Sequence, residues 1–302
     1  MAADAVITGS EVTSIRSPRV KAARQLARRS FRQRAGLFLA EGPQAVREAL
    51  GAPEAPIAQE TTRPGAAPRS GAVLTEIFVT AAAQSRYGEL VQRAAGAGAA
   101  VHTVSGEVMT ELAQTVTPQG LLAVCRFVDI PLEQLTASAP RLVVLLANVR
   151  DPGNAGTVLR TADAAGADGV IFSDASVDPY NSKCVRASAG SLFHVPIVVG
   201  SPLRQAAAAL GRAGVRVLAA DGSAGRQLDE LESDGRLGRP TAWLFGNEAW
   251  GLPQDLLALA DEAVAVPIYG QAESLNLAAA AAVCLYASAR AHRLVDSSPP
   301  AG

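Results

Sequence analysis

Residues 141–173 read RLVVLLANVRDPGNAGTVLRTADAAGADGVIFS. An unbroken apolar run, a turn carrying Pro152 and Gly153, a stretch with apolar residues at helical spacing and a second apolar run follow one another. Parallel strands need a crossover of about a dozen residues, normally a helix, so this stretch predicts a strand, its crossover helix and a parallel neighbour. Strands covered by helices on both faces read as continuous apolar runs rather than alternating ones. The alternation continues through VPIVV, VRVLAA, TAWLF and EAVAVPI, with helices expected over 155–166, 181–189, 202–212, 253–260 and 275–291. An α/β domain with a mostly parallel sheet is predicted for residues 141–293, and ligands of such sheets bind beyond the carboxyl ends of the strands.

Upstream, residues 12–128 predict a smaller α/β domain. Val20, Ala23, Ala27 and Phe31 lie at helical spacing within a helix expected from Ser14 to Ala35. Strands are expected at Leu37–Ala40, 76–80, 100–105 and 121–127, with helices at 43–50 and 87–96. Gly51 to Ala72 is rich in Pro, Ala and Gly and shows no apolar period, so a flexible insertion is expected there. Residues 129–140 read as the linker between the domains.

With 49% hydrophobic and 18% charged residues in 302, the chain has the composition of a globular protein of two domains. The longest run of apolar or small residues, Leu277 to Ala289, is too short to span a bilayer. The first thirty residues hold no apolar core with a small-residue cleavage site, so no secretory signal, no membrane partner and a cytoplasmic location are expected. Cys125, Cys184 and Cys284, like His102, His194 and His292, are scattered, and neither a metal site nor a disulfide framework is expected. Charge is uneven. Arg16, Arg19, Lys21, Arg24, Arg28, Arg29, Arg32 and Arg34 fall between Ser14 and Ala40 without one acid, leaving 19 basic against 28 acidic residues elsewhere. Such a patch suits phosphate contacts, which position a nucleic acid without reading its sequence; a solvated helix face is the plain alternative.

Three turns lie at expected strand ends. In the first, Asn154 is placed to cap the following helix, and Arg160 lies two turns in, either pairing with Asp163 or serving a ligand. The glycine turn and Asp174, about twenty residues on, admit a dinucleotide reading, but Gly-x-Gly-x-x-Gly and the Walker-type Gly-Lys-Ser/Thr are both missing. The second turn, FGNEAWGLP from Phe245, offers Gly246 and Gly251 for unusual backbone, Pro253 for the first turn of a helix, and Glu248 as a functional carboxylate or an ordinary exposed residue. In the third, VPIYGQAESLNLAAAAAV from Val266, Ser274 is expected to cap a helix of small residues, buried on most sides, that packs on the sheet and either on a second subunit or internally.

Taken in order and spacing, NVRDPGNAGTVLRTADAAG (148–166), FGNEAWGLP (245–253) and PIYGQAESLNLAAAAAVCLY (267–286) resemble the three motifs of the SpoU/TrmH branch of the SPOUT RNA methyltransferases. The segment from Ser14 to Leu50, with TVTPQGLLAV from Thr115, resembles that family's substrate-binding domain, which is similar in fold to ribosomal protein L30e. The resemblance implies a C-terminal SPOUT domain with a trefoil knot, a homodimer formed through it, and methyl transfer from S-adenosylmethionine to a ribose 2′-hydroxyl of structured RNA. Ribosomal RNA is favoured over transfer RNA. It also implies that Arg160, Asn154, Glu248, Ser274 and Asn276 shape the reacting end, and that Leu244, Phe245, Gly246, Val266, Ile268, Ser274 and Leu275 hold the cofactor. A 2′-hydroxyl is a poor nucleophile and an arginine stays protonated at ordinary pH, so Arg160 is expected to bind the neighbouring phosphate and the developing oxyanion rather than to take the proton. Ser17 departs from the family's Asn before Pro18, and the 51–72 insertion has no counterpart. An oxidoreductase using Asp174 and a non-catalytic RNA-binding protein are the competing readings.

Overall fold

The computed structural model describes residues 11–51, 73–247 and 250–297. Contacts divide the chain into two units, one running to Val128 and including Tyr180–Phe193, the other made of Asp129–Pro179 with the chain from His194 onward. The expected insertion lies outside the described residues apart from Gly51.

The first unit carries α1 (Pro18–Gln25), α2 (Arg29–Ala35), β1 (Leu37–Glu41), α3 (Pro43–Ala49), β2 (Leu74–Val79), α4 (Ala81–Gly96), β3 (Ala100–Thr103), α5 (Gly106–Leu112) and β4 (Leu121–Arg126). Its sheet runs β1-β4-β2-β3, antiparallel except for the β2–β3 pair. Val20, Ala23 and Leu26 pack with Phe78, Met109, Leu112 and Val124 in its core. The single helix expected over 14–35 is two. Arg28 is extended (φ −97, ψ 132), which breaks the helix. Arg32 then turns inward and donates from Nη1 to the carbonyls of Leu26 (2.9 Å) and Ala27 (2.8 Å), satisfying oxygens that the end of α1 leaves without partners.

The second unit begins inside the expected linker, where residues 132–137 form α6 (Leu132–Ala137). Leu132 and Leu135 join the core, and a Cβ on Gly169 would come within 2.6 Å of Leu135 Cδ1, so the apolar pattern of this short stretch makes it part of the domain. There follow β5 (Leu142–Leu146), α7 (Pro152–Ala165), β6 (Gly169–Ser173), α8 (Ser182–Ala187), which belongs to the first unit, β7 (Ile197–Ser201), α9 (Leu203–Arg212) and β8 (Arg216–Ala220). Next come β9 (Arg226–Gln227), α10 (Leu228–Ser233), β10 (Thr241–Phe245), α11 (Gln254–Leu257), β11 (Glu262–Ala265) and α12 (Leu277–Ser297). β9 and α10, of two and six residues, are too short to show a period in the sequence.

The seven strands stand in the order β7-β6-β5-β10-β8-β11-β9, and every pairing is parallel. The first three strands add outward to one side, while β8 leaves a gap beside β5 that β10 later fills. A doubly wound sheet of this kind opens a crevice at the carboxyl ends where the direction of winding changes. β5, β6 and β10 are buried at every residue, as their unbroken apolar runs require. α12 lies against α7, β10 and β5, and Trp243 Nε1 donates to Ser288 Oγ at 2.9 Å, satisfying a buried indole N–H that is fully removed from solvent.

Candidate active site

The three turns found in the sequence converge in the second unit. After β5 the chain turns at Asn148 with φ +56, a left-handed conformation that asparagine tolerates better than most residues. Its N–H donates to Ser173 Oγ at 3.1 Å, and Val149 N–H donates to Ser176 Oγ at 3.2 Å, so β6 and its turn hold the bend from below. Asn247 Nδ2, in the turn after β10, donates to the Asn148 carbonyl at 2.8 Å, which ties the second turn to the first. Asn276 Nδ2, at the end of the third turn, donates to Asn154 Oδ1 at 3.1 Å, which ties the third to the first.

The capping residues differ from those expected. Asp151, not Asn154, caps α7, accepting from Asn154 N–H at 2.7 Å, because the helix starts at Pro152, three residues before the expected start at 155. Asn276, not Ser274, caps α12: its Oδ1 accepts from Ala278 N–H at 2.9 Å. Each shift releases a side chain. Asn154 meets Asn276, and Ser274 stands exposed in the loop. α12 also runs on to Ser297, six residues past the expected end.

A cleft of about 510 Å³ opens at the carboxyl ends of β10, β8 and β11. Phe245, Gly246, Val266, Ile268, Ser274 and Leu275, six of the seven residues expected to hold the cofactor, line it together with Asn276. Leu244 does not. It is fully buried in β10 and faces the apolar core, the side opposite its strand neighbours Trp243 and Phe245. At Gly246 the reason for glycine is close approach rather than backbone angle. A Cβ there would lie 2.4 Å from the Gly251 carbonyl oxygen and 2.8 Å from Leu252 Cγ. Asn247 and Gly251 exchange backbone hydrogen bonds of 3.0 and 2.9 Å across this turn, and Gly251 takes φ +65.

Sequence reasoning missed Asp221, Gly222, Asn247 and Glu273, which also line the cleft. Asp221 and Gly222 directly follow a strand run, the same positional signal that selected Glu248. Glu248 itself lies outside the described residues. Asp174, the acid of the dinucleotide reading, is exposed beyond β6, accepts from Ala175 N–H, and does not line the cleft.

Arg160 is exposed on α7 and makes no hydrogen bond or ion pair among the described residues. The suggested partner Asp163 is instead held by His194 Nδ1 at 2.8 Å. Arg160 does not line the cleft either, so it faces whatever approaches the outer surface of α7.

In the first unit, seven of the eight clustered cations are exposed. Arg32 is the exception at 3% exposure, its guanidinium spent on the Leu26 and Ala27 carbonyls, and it leaves the set of phosphate ligands. Arg24 pairs with Glu111, Arg19 Nη1 lies 3.4 Å from His102 Nδ1, and Arg34 stands 5.3 Å over the Phe31 ring. The side chains of Arg16, Lys21, Arg28 and Arg29 make no bond among the described residues. Burial pushes the Cys125 and Cys284 thiols up, which leaves them protonated and inert as metal ligands or nucleophiles.

Residues 141–286 match the SpoU rRNA Methylase family, and residues 39–131 match the family of RNA 2′-O ribose methyltransferase substrate-binding domains. The chain is 33% identical over 279 residues to the 23S rRNA (guanosine(2553)-2′-O)-methyltransferase RlmP of Bacillus subtilis, covering 91% of this chain and 98% of that one. It is 32% identical over 222 residues to the 23S rRNA (guanosine-2′-O-)-methyltransferase RlmB of Bordetella pertussis, covering 72% and 89%. Among solved structures, the AdoMet-bound rRNA methyltransferase from Sinorhizobium meliloti superposes with a TM-score of 0.77 at 29% identity, covering 93% of this chain and 97% of that one.

Proposed function

This chain belongs to the SpoU rRNA methylase family, and from that premise we propose how its cleft, its arginine and its basic helices share the work. The reaction is transfer of a methyl group from S-adenosylmethionine to a ribose 2′-hydroxyl of ribosomal RNA. The observation that carries the assignment of residues is the convergence of three sequence-distant turns on one cleft through the Asn247–Asn148 and Asn276–Asn154 bonds.

The cleft fits the cofactor. Its volume of about 510 Å³ lies within the range of small-molecule sites. Phe245, Val266, Ile268 and Leu275 offer apolar walls for a base, and the glycine at 246 leaves backbone exposed to it. When bound, S-adenosylmethionine supplies an electrophilic methyl group on a sulfonium. Asn276 and Asn154, at the starts of α12 and α7, mark the end of the cleft where the methyl group meets the ribose. A guanidinium donates and does not accept, so Arg160 holds an RNA phosphate and stabilises charge building on the 2′-oxygen. Glu248 fixes Arg160 or the ribose by a charge-assisted hydrogen bond. Ser274 supplies a hydroxyl at the cleft mouth.

The N-terminal domain, residues 12–128, docks the RNA, and Arg16, Arg19, Lys21, Arg24, Arg28, Arg29 and Arg34 provide phosphate contacts on α1 and α2. The methyltransferase domain extends to residue 293 and takes in α6 (Leu132–Ala137), so the joint between the two domains is shorter than the expected 129–140. Exposed aromatic rings at Trp250 (62%) and Tyr269 (88%), in the turns that border the cleft, are placed to stack on unpaired bases of a folded RNA. The third turn and α12 thread the chain as a trefoil knot, and the exposed Val283 and Tyr286 on α12 receive a second copy in a homodimer. The enzyme works in the cytoplasm on 23S-type RNA, the substrate named for the relatives it resembles.

The test is direct. Purified protein incubated with methyl-labelled S-adenosylmethionine and ribosomal RNA should label one nucleotide, and the label should survive alkaline hydrolysis inside a dinucleotide, because a 2′-O-methyl group blocks strand cleavage. Label recovered on a base would overturn the reaction assigned here.

A further inference from the structure

Two acidic side chains, Asp221 and Glu273, line the cleft among the described residues. Glu273 is exposed in the third turn, whereas Asp221 is fixed. Its N–H donates to the Val264 carbonyl at 3.0 Å, continuing the β8–β11 ladder by one residue and anchoring the backbone. Its Oδ1 accepts from both Ser223 N–H and Ser223 Oγ at 2.8 Å, which locks the side chain. Oδ2 makes no hydrogen bond or ion pair among the described residues. A carboxylate held by one oxygen with the other left over, on the wall of a ligand cleft, is preorganised to accept hydrogen bonds from a ligand.

Strand order decides which part of the ligand. The asparagine pair sits where α7 and α12 begin, and α7 follows β5. β10 stands between β5 and β8, so Asp221, at the end of β8, lies two strands from β5. A sulfonium and its transferable methyl group belong at the reacting end; of the two other groups on the sulfur, the adenosyl group and the aminocarboxypropyl chain, the apolar walls of Phe245, Val266, Ile268 and Leu275 in the same cleft as Asp221 suit the adenosyl group. We propose that Asp221 Oδ2 accepts hydrogen bonds from the ribose hydroxyls of the adenosyl group, and so selects a ribonucleoside cofactor and fixes its sugar. The proposal rests on the placement of the cofactor in this cleft.

The experiment is calorimetric titration of the full chain with S-adenosylmethionine and S-adenosylhomocysteine, which differ in the sulfonium charge and share the ribose. Asp221→Ala should weaken both ligands by the same factor, about 10- to 100-fold, the usual cost of losing hydrogen bonds to a charged group. Asp221→Asn, which keeps the shape and the Ser223 contacts to its oxygen, should weaken both by a smaller common factor. The wild-type protein should also prefer 5′-methylthioadenosine to its 2′-deoxy analogue, and Asp221→Ala should lose that preference. Weakening of S-adenosylmethionine alone would mean that Asp221 faces the sulfonium and would overturn the proposal, as would unchanged affinity for both. Ile268→Arg, on the exposed wall of the cleft, separates the two claims. If it leaves S-adenosylmethionine binding intact, the cofactor is not in this cleft and the parent reading fails. If it abolishes binding while the Asp221 variants bind as wild type does, the Asp221 assignment alone fails.

Discussion

Gly246→Ala is the sharpest single perturbation the cleft offers. The new Cβ would lie 2.4 Å from the Gly251 oxygen and 2.5 Å from its carbonyl carbon, both backbone atoms that have no rotamer to retreat to. Restoring ordinary contact requires a shift of about 1 Å between the two limbs of the turn. Hydrogen bonds of 3.0 and 2.9 Å between Asn247 and Gly251 do not survive such a shift. Two backbone bonds at a net 0.5–1.5 kcal/mol each give about 1–3 kcal/mol. The turn stands at the end of β10 beyond the core, so this loss falls on the local shape of the cleft rather than on the fold. Since about 1.4 kcal/mol is tenfold in affinity, S-adenosylmethionine binding should weaken roughly 5- to 150-fold by calorimetry. The melting temperature should fall by no more than a few degrees. Gly251→Asn is the matched control. Its φ of +65 suits asparagine and no atom lies within 4 Å of the added Cβ, so affinity should stay within about threefold of wild type. A Gly246→Ala protein with wild-type affinity and an unchanged melting temperature would refute the close-approach argument.

Arg160→Ala should lower single-turnover methylation about 100-fold, the scale of losing one transition-state donor, with S-adenosylmethionine affinity kept; collapse of cofactor binding instead would remove Arg160 from the RNA side of the site. Replacing Lys21, Arg28 and Arg29 together by alanine should flatten the dependence of RNA affinity on salt by about two units of log–log slope, whereas an unchanged slope would exclude α1 and α2 as a docking surface. Arg32→Ala should behave differently, leaving that slope alone and destabilising the first unit by about 2–3 kcal/mol in urea unfolding, because it removes a buried guanidinium bonded to two carbonyls. Burial holds the His292 imidazole below its ordinary value, with Nε2 donating to the Arg239 carbonyl at 3.0 Å. The fold therefore favours the neutral ring, the unfolded chain binds the extra proton, and stability should fall as pH drops below about 6.5; His292→Gln should show a smaller fall between pH 7.5 and 5.5, and an identical fall would dismiss this residue as the cause.

The parallel sheet was legible because β5, β6 and β10 are buried on both faces and so leave apolar runs in the sequence. What escaped the sequence follows from competition between local signals. Asn154 and Ser274 both have capping chemistry, but Asp151 lies one position before Pro152 and Asn276 one before Leu277, and the cap is set by where the chain first turns helical. The break between α1 and α2 was hidden because Ala27 and Phe31 keep the period of Val20 and Ala23; Ala27 is exposed, and a buried Arg32 closes the gap. α6 hides within the expected linker because its six residues are too few to show a helical period, although Leu132 and Leu135 carry the spacing of a buried face. In the site, glycines and asparagines marked the turns, but their meeting depends on strand order, and the insertion of β10 between β5 and β8 is a long-range pairing that no local pattern records. Asp221 reached the cleft by that route.

The central claim is that this chain places one methyl group on one ribose of ribosomal RNA. Mapping 2′-O-methylation across ribosomal and transfer RNA in cells with and without the gene tests it most directly, with Arg160→Ala supplied in trans as a folded, inactive comparison. The account predicts that a single ribosomal RNA mark disappears on deletion, returns with the wild-type gene and stays absent with the Arg160→Ala gene. Ribosomal RNA maps that are identical with and without the gene, or a lost mark confined to transfer RNA, would contradict it.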